Sequence, residues 1–173
     1  MVEMRESYYL LKTASELICG DIDKELAMDK IWNITKEEIW SKRIFGNIIN
    51  DNDKERYFAN LENEGFILRK NDKIKVTLNG IYFIVEIFNL RHENYGILNK
   101  KDFNYFLNYI MNEIKSYYRN QDEIPLSEIR RQVMGIGDKP FNQIIHVLEK
   151  KGLIKINQKD NIRYIISKMG LLK

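Results

Sequence analysis

A chain of 173 residues, 44% apolar and 31% charged, has room for one ordinary domain or two small ones around a packed core, which excludes a disordered polypeptide. One cysteine, Cys19, and two histidines far apart in sequence, His92 and His146, exclude an internal disulfide and offer no metal-binding spacing, so no metal or other cofactor is expected. The formal net charge of +3 is unevenly spread: residues 1–98 hold 14 Lys and Arg against 17 Asp and Glu, net −3, whereas residues 99–173 hold 14 against 8, net +6.

The first residues, Met1 to Glu6, lack the charged-then-apolar pattern of a signal peptide. An amphipathic helix is expected over residues 4–18, with apolar side chains at 10, 11, 14, 17 and 18. Residues 30–34, Lys-Ile-Trp-Asn-Ile, read as a short strand, and Thr35 as the cap of a helix from 36 to about 49, with Glu38 at the capping-box spacing. A third helix follows over about 52–64, then strands over 66–70 and 73–78. Thr77-Leu78-Asn79-Gly80 ends the second strand and starts another helix, 80–92, which is apolar almost all round. Such a helix must be buried on several sides, which points to the other half of the chain or to a second copy. Its most apolar stretch, 81–90, is too short to span a bilayer and carries Glu86. A cytoplasmic protein without membrane contact is expected.

The second half opens with a helix over 102–119, apolar at 103, 106, 110, 114 and 117 and rich in aromatic side chains, an apt mate for the 80–92 helix. Residues 122–126 are extended, because the residue before Pro125 avoids helical dihedrals. Ser127 reads as the N-cap of a short helix to Met134, Gly135 to Asp138 as a turn, and Pro140 as the first position of a helix running to about Lys150. Phe141, Ile144, Ile145 and Leu148 share one side of that helix. Strands over 153–157 and 162–167 complete the chain.

An internal echo ties the halves together. Leu61-Glu62-Asn63-Glu64-Gly65-Phe66-Ile67 and Leu148-Glu149-Lys150-Lys151-Gly152-Leu153-Ile154 share the pattern L-E-x-x-G-[FL]-I, 87 residues apart. In each, a helix stops at a glycine able to adopt the left-handed conformation, and two strands follow. Helix, short strand, helix, turn, helix and two-stranded hairpin, carried by Pro125-Leu126-Ser127-Glu128-Ile129-Arg130-Arg131 and the second copy of the echo, resembles the winged helix-turn-helix superfamily over roughly residues 102–168. The first half follows a looser version, and its Thr-x-x-Gly helix start is similar to that of many archaeal and bacterial winged-helix regulators. The expected architecture is therefore mainly α with small β-wings, an α+β chain of two tandem winged helix-turn-helix units plus connecting or dimerisation helices. The units would be 1–98 and 99–173, the second being the basic one.

The resemblance implies double-stranded DNA as partner and transcriptional regulation as role. With Phe141, Ile144 and Leu148 inward, Lys139, Gln143, His146 and Lys150 face solvent with Asn142 at the flank; amides suit adenine, and lysine reaches guanine or phosphate. Arg130 and Arg131 lie where this fold touches the backbone, and Lys155, Lys159 and Arg163 decorate the hairpin. In the first half the matching face shows Asn52, Glu55, Arg56, Ala59 and Asn63 behind Asp51 and Asp53, whose charge repels phosphate. A homodimer through the helices near 80–92 and 102–119 would present paired units to DNA. The other reading is a protein–protein adaptor without DNA binding, since tandem winged helices also build ESCRT-II subunits and the winged-helix partners of SMC–kleisin complexes.

No enzyme is expected. Residues 135–140, Gly-Ile-Gly-Asp-Lys-Pro, lack the Lys-[Ser/Thr] that completes a phosphate loop, and a helix precedes them where a strand is needed. His146 has no second ligand type nearby, and Cys19 reads as core packing on an apolar helix face. No Ser/His/Asp or Cys/His set and no carboxylate pair can be assembled.

Overall fold

Between Ile97 and Leu98 the chain divides into two units, Met1–Ile97 and Leu98–Lys173, and each is a mainly helical α+β structure. The structure, a computed structural model, describes residues 2–41, 50–118, 123–160 and 162–167. Among them the first unit contains α1 (Val2–Ile18), β1 (Leu26–Ala27), α2 (Met28–Ser41), α3 (Lys54–Asn63), β2 (Ile67–Lys70), β3 (Lys73–Val76) and α4 (Leu78–Ile87). The second contains α5 (Lys100–Tyr118), β4 (Glu123–Pro125), α6 (Leu126–Gln132), α7 (Asp138–Lys150), β5 (Ile154–Lys159) and β6 (Ile162–Ser167).

The echo in sequence is an echo in topology. Both units run helix, short strand, two helices, hairpin, and in both the short strand pairs with the far strand of the hairpin, giving antiparallel sheets ordered β1-β3-β2 and β4-β6-β5. The two L-E-x-x-G motifs end their helices identically. Gly65 and Gly152 take φ +77° and +75°, and the next amide reaches back to the last turn, Phe66 N to Leu61 O and Leu153 N to Leu148 O, both at 3.0 Å. This is the capping geometry in which glycine avoids the Cβ clash of the left-handed region.

α1 is the spine of the first unit: Leu10, Leu11, Ala14 and Ile18 are buried, and α2, α3 and α4 all pack on it. Residues 30–34 are helical, not extended. Ile31, Trp32, Thr35 and Ile39 form a buried helical stripe against α1, so packing overrides the strand preference of an Ile-Trp-Asn-Ile run. Thr35 is accordingly an internal residue and not a cap. Its Oγ1 lies 2.7 Å from Ile31 O and 2.9 Å from Thr13 Oγ1, which satisfies a hydroxyl that would otherwise be buried at a cost. The expected continuation of this helix to residue 49 lies outside the described residues.

α4 starts where expected, with the Thr77 hydroxyl accepting from Gly80 N at 3.1 Å, but ends at Ile87 and finds its burial within its own unit. Ile81, Ile84 and Val85 enter the core, Phe83 meets Tyr8 edge-on at 4.7 Å and stacks on Phe66 at 4.4 Å, and Phe88 lies 5.1 Å from Tyr9. A second copy is therefore not needed to cover it.

In the second unit Phe103, Ile110 and Ile114 of α5 are buried, as are Ile124, Leu126 and Ile129 and, from α7, Phe141, Ile144, Ile145 and Leu148. Burying each aliphatic or aromatic side chain is worth roughly 1.5–3 kcal/mol, so these four hold α7 firmly by one face. Two helix starts differ from expectation. Pro125, not Ser127, is the N-cap residue of α6, and Ser127 is exposed within the helix. α7 begins at Asp138 behind Gly137, which makes Pro140 its third residue, still within the first turn where a missing amide proton costs nothing. Asp122 and Arg119, at the edges of the expected segments, lie outside the described residues. Among the described residues no helix is long and apolar enough to cross a membrane.

Candidate nucleic-acid interface

α7 presents a stripe of exposed or half-buried polar side chains opposite its apolar face: Lys139, Asn142, His146 and Lys150 follow one another at intervals of three or four residues. Asn142 is half-buried, and the other three are exposed. Gln143 does not belong to this stripe. It is fully buried, which corrects the outward placement expected from the sequence. The buried arc of α7 is therefore wider than its four apolar side chains: at about 100° per residue Gln143 lies roughly 100° beyond Ile144, yet it has no exposed surface.

The two arginines of α6 part company. Arg130 is built into the turn before α7: its Nε donates to Asp138 Oδ1 at 2.8 Å, and its terminal nitrogens donate to Val133 O at 2.9 Å and Ile136 O at 3.0 Å. Its guanidinium also lies over the Phe141 ring at 5.2 Å. One side chain thereby closes the carbonyls of the 133–136 turn and fixes the first residue of α7. Arg130 thus has a structural role that the sequence did not suggest. Arg131 is exposed and pairs with Glu128 one turn earlier.

On the hairpin, Lys155 and Lys159 are exposed on β5, and Lys159 pairs with Glu123 at 2.7 Å. Arg163 stands on β6 opposite Gln158, and its side chain lies outside the described residues. Glu149 is the acidic neighbour of the stripe, and its Oε2 accepts from Ile156 N at 3.2 Å, which ties the carboxylate to β5. Lys151, just beyond α7, is exposed and was not singled out from the sequence, where it looks like an unremarkable variable position of the echo. Lys150, Lys151 and Lys155 have no ion-pair partner among the described residues.

No protein-family model, curated protein or solved structure matches the chain. The surface chemistry must therefore be weighed on its own. In the first unit four cations are matched, Lys36 with Asp51 at 2.9 Å, Lys54 with Asp29, Arg56 with Asp53 at 2.9 Å and Arg69 with Glu55 at 2.7 Å, whereas Lys70, Lys73 and Lys75 of its hairpin have no ion-pair partner among the described residues. Asp51 also accepts from Trp32 Nε1 at 2.7 Å; that bond first, and Lys36 second, hold its carboxyl below the usual carboxylate range. The helix face of α3 thus turns outward a set of internally neutralised pairs, and Asn52, Glu55, Ala59 and Asn63 add no surplus positive charge. Cys19 is exposed at the end of α1, not in the core as its neighbours suggested, and no group of potential metal ligands forms among the described residues.

Large apolar side chains also reach solvent in the second unit. Met134 is 84% exposed in the turn before α7, and Tyr105 of α5 is 63% exposed. A sequence reading had no signal for Met134, which falls at the end of an expected helix with no stripe to place it.

Proposed function

We propose that the protein binds duplex DNA through its second unit, as a transcriptional regulator built from two tandem winged helix-turn-helix units. The shared element order and sheet order of the two units support the fold reading, with α6 and α7 as the helix-turn-helix and β5–β6 as the wing. The observation that carries the functional reading is the exposed polar stripe of α7, which continues through Lys151 and Lys155 onto the hairpin, with Lys150, Lys151 and Lys155 lacking an ion-pair partner among the described residues. A helix of this kind fits the major groove, about 12 Å wide, while lysines at its ends meet phosphate. The chain is read as a binding protein with no catalytic role and no cofactor. Association as a homodimer would use what the helices near 80–92 and 102–119 leave exposed, chiefly Ile87, Tyr105 and Tyr109.

A mobility shift with a random-sequence duplex at low salt tests the reading. Retardation that disappears as salt rises is expected; a chain that leaves the duplex unshifted at 50 mM salt, while co-purifying with a stoichiometric protein, overturns it. The adaptor reading keeps one specific support, the exposed Met134 and Tyr105, which suit a protein contact better than a phosphate.

A further inference from the structure

The position of each polar group on α7 says how such a duplex would be held, an inference that rests on the DNA-binding reading above. Base discrimination in the major groove needs forked donors and acceptors: arginine for guanine, and asparagine or glutamine for adenine. α7 contains no arginine, and its glutamine, Gln143, is fully buried. Of the two arginines of α6 that precede the helix, Arg130 spends its guanidinium on Asp138, Val133 and Ile136, and Arg131 pairs with Glu128. The centre of the outer face is left with a half-buried Asn142 and with His146.

The ends of the helix are different. Lys139 lies in the first turn and Lys150 at the last position, which at 1.5 Å per residue sets them about 16 Å apart along the axis. That span exceeds the width of the major groove, about 12 Å, so a helix set across the groove would bring one lysine to each phosphate wall. Lys151 and Lys155 reinforce the C-terminal end, where the helix dipole also favours cations. The flanks are thus charged and the middle is poor in readers.

We infer that the second unit grips duplex DNA by its phosphate backbone with little sequence preference, Lys139 on one wall of the groove and Lys150, Lys151 and Lys155 on the other. Arg130 acts as a positioning residue that sets the entry of α7 and makes no phosphate contact of its own.

Selection from a pool of duplexes with a randomised core, using the full chain and sequencing the bound fraction after repeated rounds, tests this. The expected result is a pool that binds but shows no consensus, with affinities for AT-rich and GC-rich duplexes within about threefold of each other. Asn142→Ala should then change affinity less than about threefold, and Lys150→Gln should flatten the log–log salt slope by about 0.9. An enriched consensus whose preference falls at least about thirtyfold in Asn142→Ala overturns the inference while leaving DNA binding intact. A pool that does not bind at all at 50 mM salt overturns both.

Discussion

The two units repeat one topology and put it to opposite electrostatic use. In the first, Lys36, Lys54, Arg56 and Arg69 are answered by Asp51, Asp29, Asp53 and Glu55. In the second, Lys150, Lys151 and Lys155 have no such partners among the described residues, and the carboxylates nearby, Asp138 and Glu149, are tied to Arg130 and to the β5 backbone. The elements carry the fold and the surface carries the chemistry, so one scaffold can hold two different surfaces.

Removing the clamp arginine should separate the units most sharply. Arg130→Ala abandons two turn carbonyls and the Asp138 carboxylate and uncovers Phe141; the second unit should lose about 2–3 kcal/mol in urea unfolding. Arg69→Ala in the first unit breaks a pair whose carboxylate is largely exposed, and should cost under about 1 kcal/mol. Equal losses in the two variants would remove the distinction between a structural and a surface arginine.

The glycines of the echo should behave alike. A Cβ at Gly65 or Gly152 meets nothing within 4 Å, so the cost of alanine is the left-handed backbone alone, about 1–2 kcal/mol at each site. Unequal costs in thermal unfolding would mean that the second motif ends its helix by other means.

Alkaline pH should weaken the first unit selectively. Burial raises the hydroxyls of Tyr57, Tyr82 and Tyr95, with Glu6 adding to the effect at Tyr57 and Glu16 at Tyr95, and Tyr82 is pushed up to about 12. A phenol kept neutral by folding contributes stability that is fully present below its unfolded value, near 10, and is lost as pH rises toward the folded value. Both tryptophans, Trp32 and Trp40, lie in the first unit, so their emission follows it alone. Its unfolding midpoint should fall between pH 10 and 12; a flat profile there would contradict the burial of these rings. The acid side is subtler. Asp51 is depressed, so its contribution is present above the ordinary carboxylate range and lost as pH falls through the folded value, and Asp51→Asn should shift Trp32 emission with little change in stability.

Much of this was legible in the residues. The repeat announced itself through L-E-x-x-G-[FL]-I because the chemistry of ending a helix at a left-handed glycine leaves a fixed signature. The apolar face of α7 was legible for the same reason, since Phe141, Ile144, Ile145 and Leu148 keep helical spacing. Gln143 was not: a polar residue between apolar ones looks outward until the width of the buried arc is known. Arg130 escaped because its partners, from Val133 to Asp138, are carbonyls and a carboxylate gathered by a turn, and a turn leaves no periodicity to read. Residues 30–34 misled through local propensity, and α4 through the assumption that one small unit could not bury it.

The salt dependence of duplex affinity, measured by anisotropy for the natural chain and for a Lys150→Gln, Lys155→Gln double variant, bears most directly on the central claim. Loss of two phosphate contacts should flatten the log–log slope by about 1.8 while both chains unfold at the same urea concentration. An unchanged slope, or a natural chain that ignores duplex at low salt, would contradict it.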